Sequence, residues 1–198
     1  MNIDRDLELI YEIGTMRHIS RTWKQFGGIN FANLAEHTLR VIWIAMLIAK
    51  HEKADISKVI QMALIHDIPE TRTGDVNYLT RMYTNRNEDK AMNDIVKDTS
   101  LEKEIKLLWV EYENRTTLES KIVKDADTLD CDFELQETEV NGNKIKDTLS
   151  ETRQSTFNKL NTTAAKKIFK KVINSNPDSW HINGINRFTD GDWSNSNG

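Results

Sequence analysis

Only two prolines and eight glycines are spread over 198 residues. Between them the apolar side chains recur at helical rather than alternating spacing. A chain with so few breakers has little with which to build hairpins, and it reads as an all-α, single-domain protein. The spacing predicts a first helix over 3–13, then a mixed stretch over 15–30 that holds Gly27-Gly28. The next helix runs to about His51, with Asn30 or Asn33 as its cap and Phe31, Leu34, Leu39, Ile42, Met46 and Ala49 as its buried face. Asp55 or Ser57 caps a helix over 56–66, and Pro69 ends it. Residues 76–86 form a loop or short helix. Helices follow over 87–98, over 100–113 with Ser100 as cap, and over 116–138 with Thr117 as cap. The stretch 139–156 is polar and poorly periodic, and a basic helix spans 162–173. Trp43 and Trp109 fall in apolar patterns and read as core. The expected architecture is six or seven helices in one domain over 1–175, with a polar tail over 176–198.

Charge and cysteine use narrow the function classes. The 27 basic and 31 acidic residues are well mixed and leave a net charge of −4, which argues against a duplex-binding protein. A small phosphorylated substrate remains open, because a metal ion and a few cations can hold one phosphate. The single cysteine, Cys131, excludes an intramolecular disulfide. The acidic N-terminus does not resemble a signal peptide, and the apolar stretch Val41–Ala49 is about half of what a bilayer needs. A cytoplasmic protein with no membrane or nucleic-acid partner is expected.

The chemistry concentrates at Leu64-Ile65-His66-Asp67-Ile68-Pro69-Glu70, where an imidazole and a carboxylate end an apolar helical run. His37 lies on the apolar side of an earlier helix, near Leu34 and Val41. Asp125 lies on a later one, a turn from Ile122 and Leu129. Taken singly, each is an ordinary surface or hydrogen-bonded residue. Together, three inward-facing helices each bring a ligand-type side chain to the interior, as helix-bundle metal sites do. Two imidazoles and two carboxylates from His37, His66, Asp67 and Asp125 suit one divalent ion: Mn, Co, Fe, Ni or Mg. On the same helical wheel Asp127 turns away from the ligand side, and Asp130 is placed to support it. Cys131 has no base in view and is not a nucleophile.

The order His37, His66-Asp67, Asp125 resembles the HD superfamily of metal-dependent phosphohydrolases. Glu70, Gly74-Asp75, Leu108-Trp109-Val110-Glu111-Tyr112-Glu113 and Glu119–Asp125 narrow the likeness to the 5′-deoxynucleotidase and HD domain-containing protein 2-like group, over about residues 5–140. That resemblance implies an HD-type helical bundle and a homodimer. It also implies an enzyme that removes the 5′-phosphate of 2′-deoxynucleoside 5′-monophosphates. The metal would polarise a phosphoryl oxygen and lower the pKa of bound water. Glu70 and Asp75 would be the acid–base groups. Arg21 would hold the phosphate and Trp23 would wall off a 2′-hydroxyl; Thr22, between them, departs from the adjacent Arg-Trp of bacterial members. A deoxynucleoside triphosphate triphosphohydrolase uses the same cage with extra cations, for which Arg72, Arg81 and Arg86 are candidates. A non-enzymatic HD nucleotide-binding module would lack ligands that this chain has. A dinuclear HD oxygenase or phosphodiesterase needs further histidines, and none stands between Asp67 and Asp125.

Overall fold

The structure, a computed structural model, describes residues 2–27 and 31–182. Among these every regular element is helical. Helix α1 is Ile3–Gly14; a 3-10 turn and the short α2 (Lys24–Gly27) lead into α3 (Leu34–Glu52). Then come α4 (Ile56–Ile65), α5 (Glu70–Thr73), α6 (Glu88–Val96), α7 (Glu102–Asn114) and α8 (Leu118–Val140). Finally α9 (Ile145–Thr148), α10 (Ser150–Lys159), α11 (Thr163–Val172) and α12 (Ser179–Ile182) pack around the end of α8 or follow it. No described helix is long and apolar enough to cross a membrane.

Sequence-local chemistry sets most boundaries. Asn33 caps α3 through a reciprocal box with Glu36, each side chain bonding the other's backbone at 3.0 Å. Asp55 caps α4 and Thr117 caps α8. Pro69 has no N–H to extend the α4 ladder, so His66–Pro69 become turns and α5 starts afresh. Gly74, at φ 74°, ends α5 in a conformation that penalises any residue with a Cβ. The alternative cap Asn30 lies outside the described residues. Ser100 is not the α7 cap: α7 begins after Leu101 without a side-chain cap. Ser100 instead gives its N–H and hydroxyl to Asp6, at 2.7 and 2.6 Å, and so ties α1 to α7. The polar 139–156 stretch does form two short helices. They are held from outside by Arg153, which grips Asp132 on α8 at 2.5 and 2.7 Å.

The core lies where α3, α4 and α8 meet, closed by α7 on one side and α11 on the other. The inward side of α3 is Leu34, His37, Thr38, Val41, Ile44, Ala45, Ile48 and Ala49. Of the expected face, Leu34 and Ala49 are inside and Ile42 packs on the core, but Leu39 and Trp43 are 60% and 59% exposed, with Leu47 beside them. Because α3 is apolar almost all round, periodicity alone left its rotation open. Trp109 is core as expected, and its indole N–H donates to Asp89 at 2.8 Å. Helix α8 is unlike an ordinary amphipathic helix. Its buried residues include Asp125, Asp130, Asp132, Glu134 and Gln136, and each has a partner.

Candidate metal centre

Four ligand atoms, one each from His37, His66, Asp67 and Asp127, lie within 4.8 Å of one another. The two Nε2 atoms are 3.4 Å apart, and Asp67 Oδ2 is 3.2 Å from both. Asp127 Oδ1 completes the group at 3.3 Å from His37 Nε2. Helix α3 supplies His37, the end of α4 supplies His66-Asp67, and α8 supplies Asp127. The three elements that form the core therefore also form the site.

Of the four residues expected as ligands, the structure brings His37, His66 and Asp67 together, with Asp127 rather than Asp125 beside them. Asp125 points the other way. Its carboxylate accepts from Asn161 N and Nδ2 at 2.9 and 2.8 Å and from Thr162 N and Oγ1 at 2.7 and 2.8 Å. It anchors the N-terminus of α11, where Thr162 is the cap. Two positions along an α-helix turn a side chain by about 200°, so Asp125 and Asp127 face opposite sides of α8. The distinguishing signal is a spacing. Asp127, Asp130, Glu134 and Glu137 recur every three or four residues along one stripe of α8, matching His37 and Arg40 on α3.

The donor set fits a cation. The His37 Nδ1 meets Asp130 Oδ2 at 2.5 Å, and the His66 Nδ1 meets the Ala63 carbonyl at 2.7 Å. Each Nδ1 faces an acceptor, so it carries the hydrogen, and each neutral ring turns an Nε2 lone pair inward. Two lone pairs and two carboxylates at 3.2–3.4 Å repel one another unless a positive charge lies between them. With protein groups alone that charge is a proton. Burial works against a charged His37, but hydrogen bonds to Asp127, Asp130 and Asp67 hold its imidazole well above the ordinary value. Burial likewise would raise the Asp67 carboxyl, yet the His66 and His37 imidazoles beside it hold it far below the usual range.

Beside this cluster opens a cleft of about 220 Å³. Arg21 is 8% exposed, with its guanidinium 3.3 Å from Asp75 and 3.7 Å from Asp67. Asp75 also accepts the Thr22 N–H at 2.9 Å, and Asn77 donates to the Thr22 hydroxyl at 3.0 Å. Thr22 thus joins the Arg21 loop to the segment after Gly74. Glu70 is buried and accepts from Arg86 at 3.1 Å through one oxygen. Its other oxygen, like Arg21 Nε, is a buried polar atom with no protein partner. Burial, with Asp67 and Asp75 nearby, pushes the Glu70 carboxyl up to about 9. Tyr112 also lines the cleft; burial and Asp127 keep its phenol neutral.

Other expected residues lie elsewhere. Trp23 is not on the cleft wall: it packs with Cys131, Leu135 and Ile145 and stands 6.4 Å from both Phe26 and Tyr78. A large ring one residue beyond Thr22 serves a satellite core here. Among the three arginines considered for a triphosphate, Arg72 is bound to Glu12 at 2.6 and 2.8 Å, away from the site. Arg81 and Arg86 do reach the cleft, as do Arg115 and Lys124, which sequence reading passed over. Burial pushes the Cys131 thiol up to about 12, which agrees with an inert cysteine.

A family model described as HD domain matches residues 13–173. The human protein named 5′-deoxynucleotidase HDDC2 is 29% identical over 139 residues, covering 67% of each chain. The Dictyostelium discoideum protein of that name is 31% identical over 146 residues, covering 67% of this chain and 77% of its own. Among solved structures, a conserved hypothetical protein from Pyrococcus furiosus superposes with a TM-score of 0.68 at 30% identity, over 84% of this chain and 98% of its own. A predicted metal-dependent phosphohydrolase from Magnetospirillum magnetotacticum shares the fold, with a TM-score of 0.69 at 23% identity over 86% and 90% of the two chains.

Proposed function

Because the chain belongs to the HD domain family, within its HDDC2-like group and as a hydrolase of phosphate esters, we propose that it removes the 5′-phosphate from 2′-deoxynucleoside 5′-monophosphates. One observation carries the reading: His37, His66, Asp67 and Asp127 converge on one point, with Arg21 beside them. The deoxynucleotide part rests on the relatives, which are named 5′-deoxynucleotidases.

A divalent ion held by His37, His66, Asp67 and Asp127 would supply a Lewis acid for the phosphoryl group and would acidify water. The protein does the rest. Asp130 and the Ala63 carbonyl fix the tautomers of the two histidines. Arg21, itself held by Asp75, directs its guanidinium at the phosphate. Glu70 carries a proton on an oxygen that no protein group satisfies, and it delivers that proton to the departing 5′-oxygen. Asp75 acts by holding Arg21 and the Thr22 backbone in place.

Charge balance favours a monophosphate. Six carboxyl groups, of which Glu70 is protonated, and five cationic side chains line the cleft, so the charges of a divalent ion are left as a small positive excess. That excess suits one phosphate dianion far better than a triphosphate with about four negative charges. The exposed stripe Leu39, Trp43 and Leu47 on α3 supports a homodimer built on that face. The cytoplasm is the compartment that matches a lone buried cysteine.

The test is a screen of Mn²⁺-, Co²⁺- or Mg²⁺-loaded protein against dAMP, AMP and dATP. Inorganic phosphate from dAMP, at rates well above those on AMP, is expected. Tripolyphosphate from dATP as the main product would overturn the monophosphate assignment, and equal rates on dAMP and AMP would overturn the deoxy preference.

A further inference from the structure

The motif Leu108–Glu113 marks the family likeness, yet the catalytic scheme gives it no task. Tyr112, its fifth residue, is 3% exposed and lines the cleft with Arg21, Asp67 and Asp127. Its ring stands edge-on to the His66 imidazole, with centroids 6.0 Å apart and planes at 80°. The Arg115 guanidinium lies over the ring, 3.5 Å from its centroid. Among the described residues the Tyr112 hydroxyl has no hydrogen-bond partner, and it is not one of the polar atoms sealed from solvent. Buried tyrosines ordinarily find a partner for the O–H. A buried phenol with its hydroxyl free beside a ligand cluster is built for something that arrives from outside.

We propose that the Tyr112 hydroxyl touches the substrate, donating a hydrogen bond to a phosphoryl oxygen lodged between the His37–His66–Asp67–Asp127 cluster and Arg21. The chemistry is selective. A neutral phenol is a donor, and a phosphoryl oxygen is an acceptor that carries charge. Arg115 over the ring draws π density away from the phenol and so strengthens the O–H as a donor. The phosphate then meets Arg21 and Tyr112 as two protein donors carried by different segments, the loop before α3 and the end of α7. This assignment rests on the phosphohydrolase reading of the same cleft but not on the identity of the nucleoside.

Tyr112→Phe keeps the ring against His66, Trp109 and Arg115 and removes only the hydroxyl. The probe is inorganic phosphate, titrated by calorimetry into Mn²⁺-loaded wild-type and variant protein, with Mn²⁺ affinity measured separately. A lost hydrogen bond to a charged group weakens binding about ten- to a hundredfold, and that loss is expected for phosphate while Mn²⁺ affinity stays unchanged. A loss of about threefold or less overturns the proposal, as does a wild-type protein that binds no phosphate. A phosphate loss that merely tracks weaker Mn²⁺ binding also overturns it, because Tyr112 then acts only by packing on His66. Failure of the deoxynucleotide assignment reads differently: phosphate binding would depend on Tyr112 while dAMP went unhydrolysed.

Discussion

Two aspartates two residues apart on α8 have opposite jobs, and exchanging their loss separates folding from chemistry. Asp125 is 1% exposed and its carboxylate accepts four donors from Asn161 and Thr162. Hydrogen bonds to a charged group are worth about 1.5–3 kcal/mol each, and they do not add fully. Asp125→Ala strands those donors at the start of α11, for a cost of about 3–5 kcal/mol. At about 2–4 °C per kcal/mol for a chain of this size, the Tm falls by about 6–20 °C. Asp127→Ala instead removes one of four ligands and one of several crowded carboxylates. Its metal-free Tm stays within a few degrees of wild type, while ion affinity falls by at least about a hundredfold. Thermal melts of the metal-free proteins, repeated with Mn²⁺, read both effects. An ion at about a hundred times its Kd adds about 2.7 kcal/mol, so wild type and Asp125→Ala should gain several degrees and Asp127→Ala at most about 2 °C. If Asp125→Ala melts like wild type and loses the Mn²⁺ response while Asp127→Ala keeps it, the assignment of the two carboxylates is wrong.

Three further outcomes follow from the same geometry. Glu70→Ala should keep the ion and lose about a hundred- to ten-thousandfold in rate; because the Glu70 carboxyl is raised to about 9, it holds its proton below that pH and loses it above, so the wild-type rate should fall on the alkaline side and the variant's profile should be flat there. The raised imidazole of His37 means that the metal-free protein carries a proton that an entering ion must displace; Mn²⁺ affinity should therefore rise with pH through neutrality, and calorimetry in buffers of different ionisation enthalpy should show proton release, whose absence would refute a protonated His37. Trp43→Glu should leave the Tm near wild type, because the side chain is exposed, and turn a dimer into a monomer by light scattering; an unchanged mass would remove the α3 face as the contact.

What could be read in the sequence follows from where the physics is local. Caps are local, so Asn33, Asp55, Thr117 and Thr162 mark helix starts within a residue. His37 and His66-Asp67 could be found because an imidazole on an otherwise apolar stripe is conspicuous. Asp125 and Asp127 could not be told apart by that rule. Helix α8 is buried on several sides, carries acids at 125, 127, 130 and 132, and offers no polar face to set against an apolar one. The choice depends on which neighbour covers each side, α3 or α11, and that is a tertiary fact. The same reason hid the exposure of Leu39 and Trp43 on α3, which has apolar residues on both sides of Trp43. Trp23 shows a different limit: one inserted residue, Thr22, keeps Arg21 in the cleft and sends the ring into a satellite core.

Helix α8 also limits how this chain can vary in length. Asp125 holds α11, Asp127 and Asp130 meet His37, Asp132 holds Arg153, and Glu134 takes the Ala32 N–H at 2.8 Å. A single inserted residue advances everything after it by about 1.5 Å and rotates it by about 100°. Placed between 125 and 134, such an insertion would aim the later carboxylates at the wrong neighbours all at once. Substitutions there would fail one attachment at a time, whereas insertions would fail several together. An insertion scan should therefore find a forbidden window along α8, bordered by tolerance in the turns after Val140 and before Leu118.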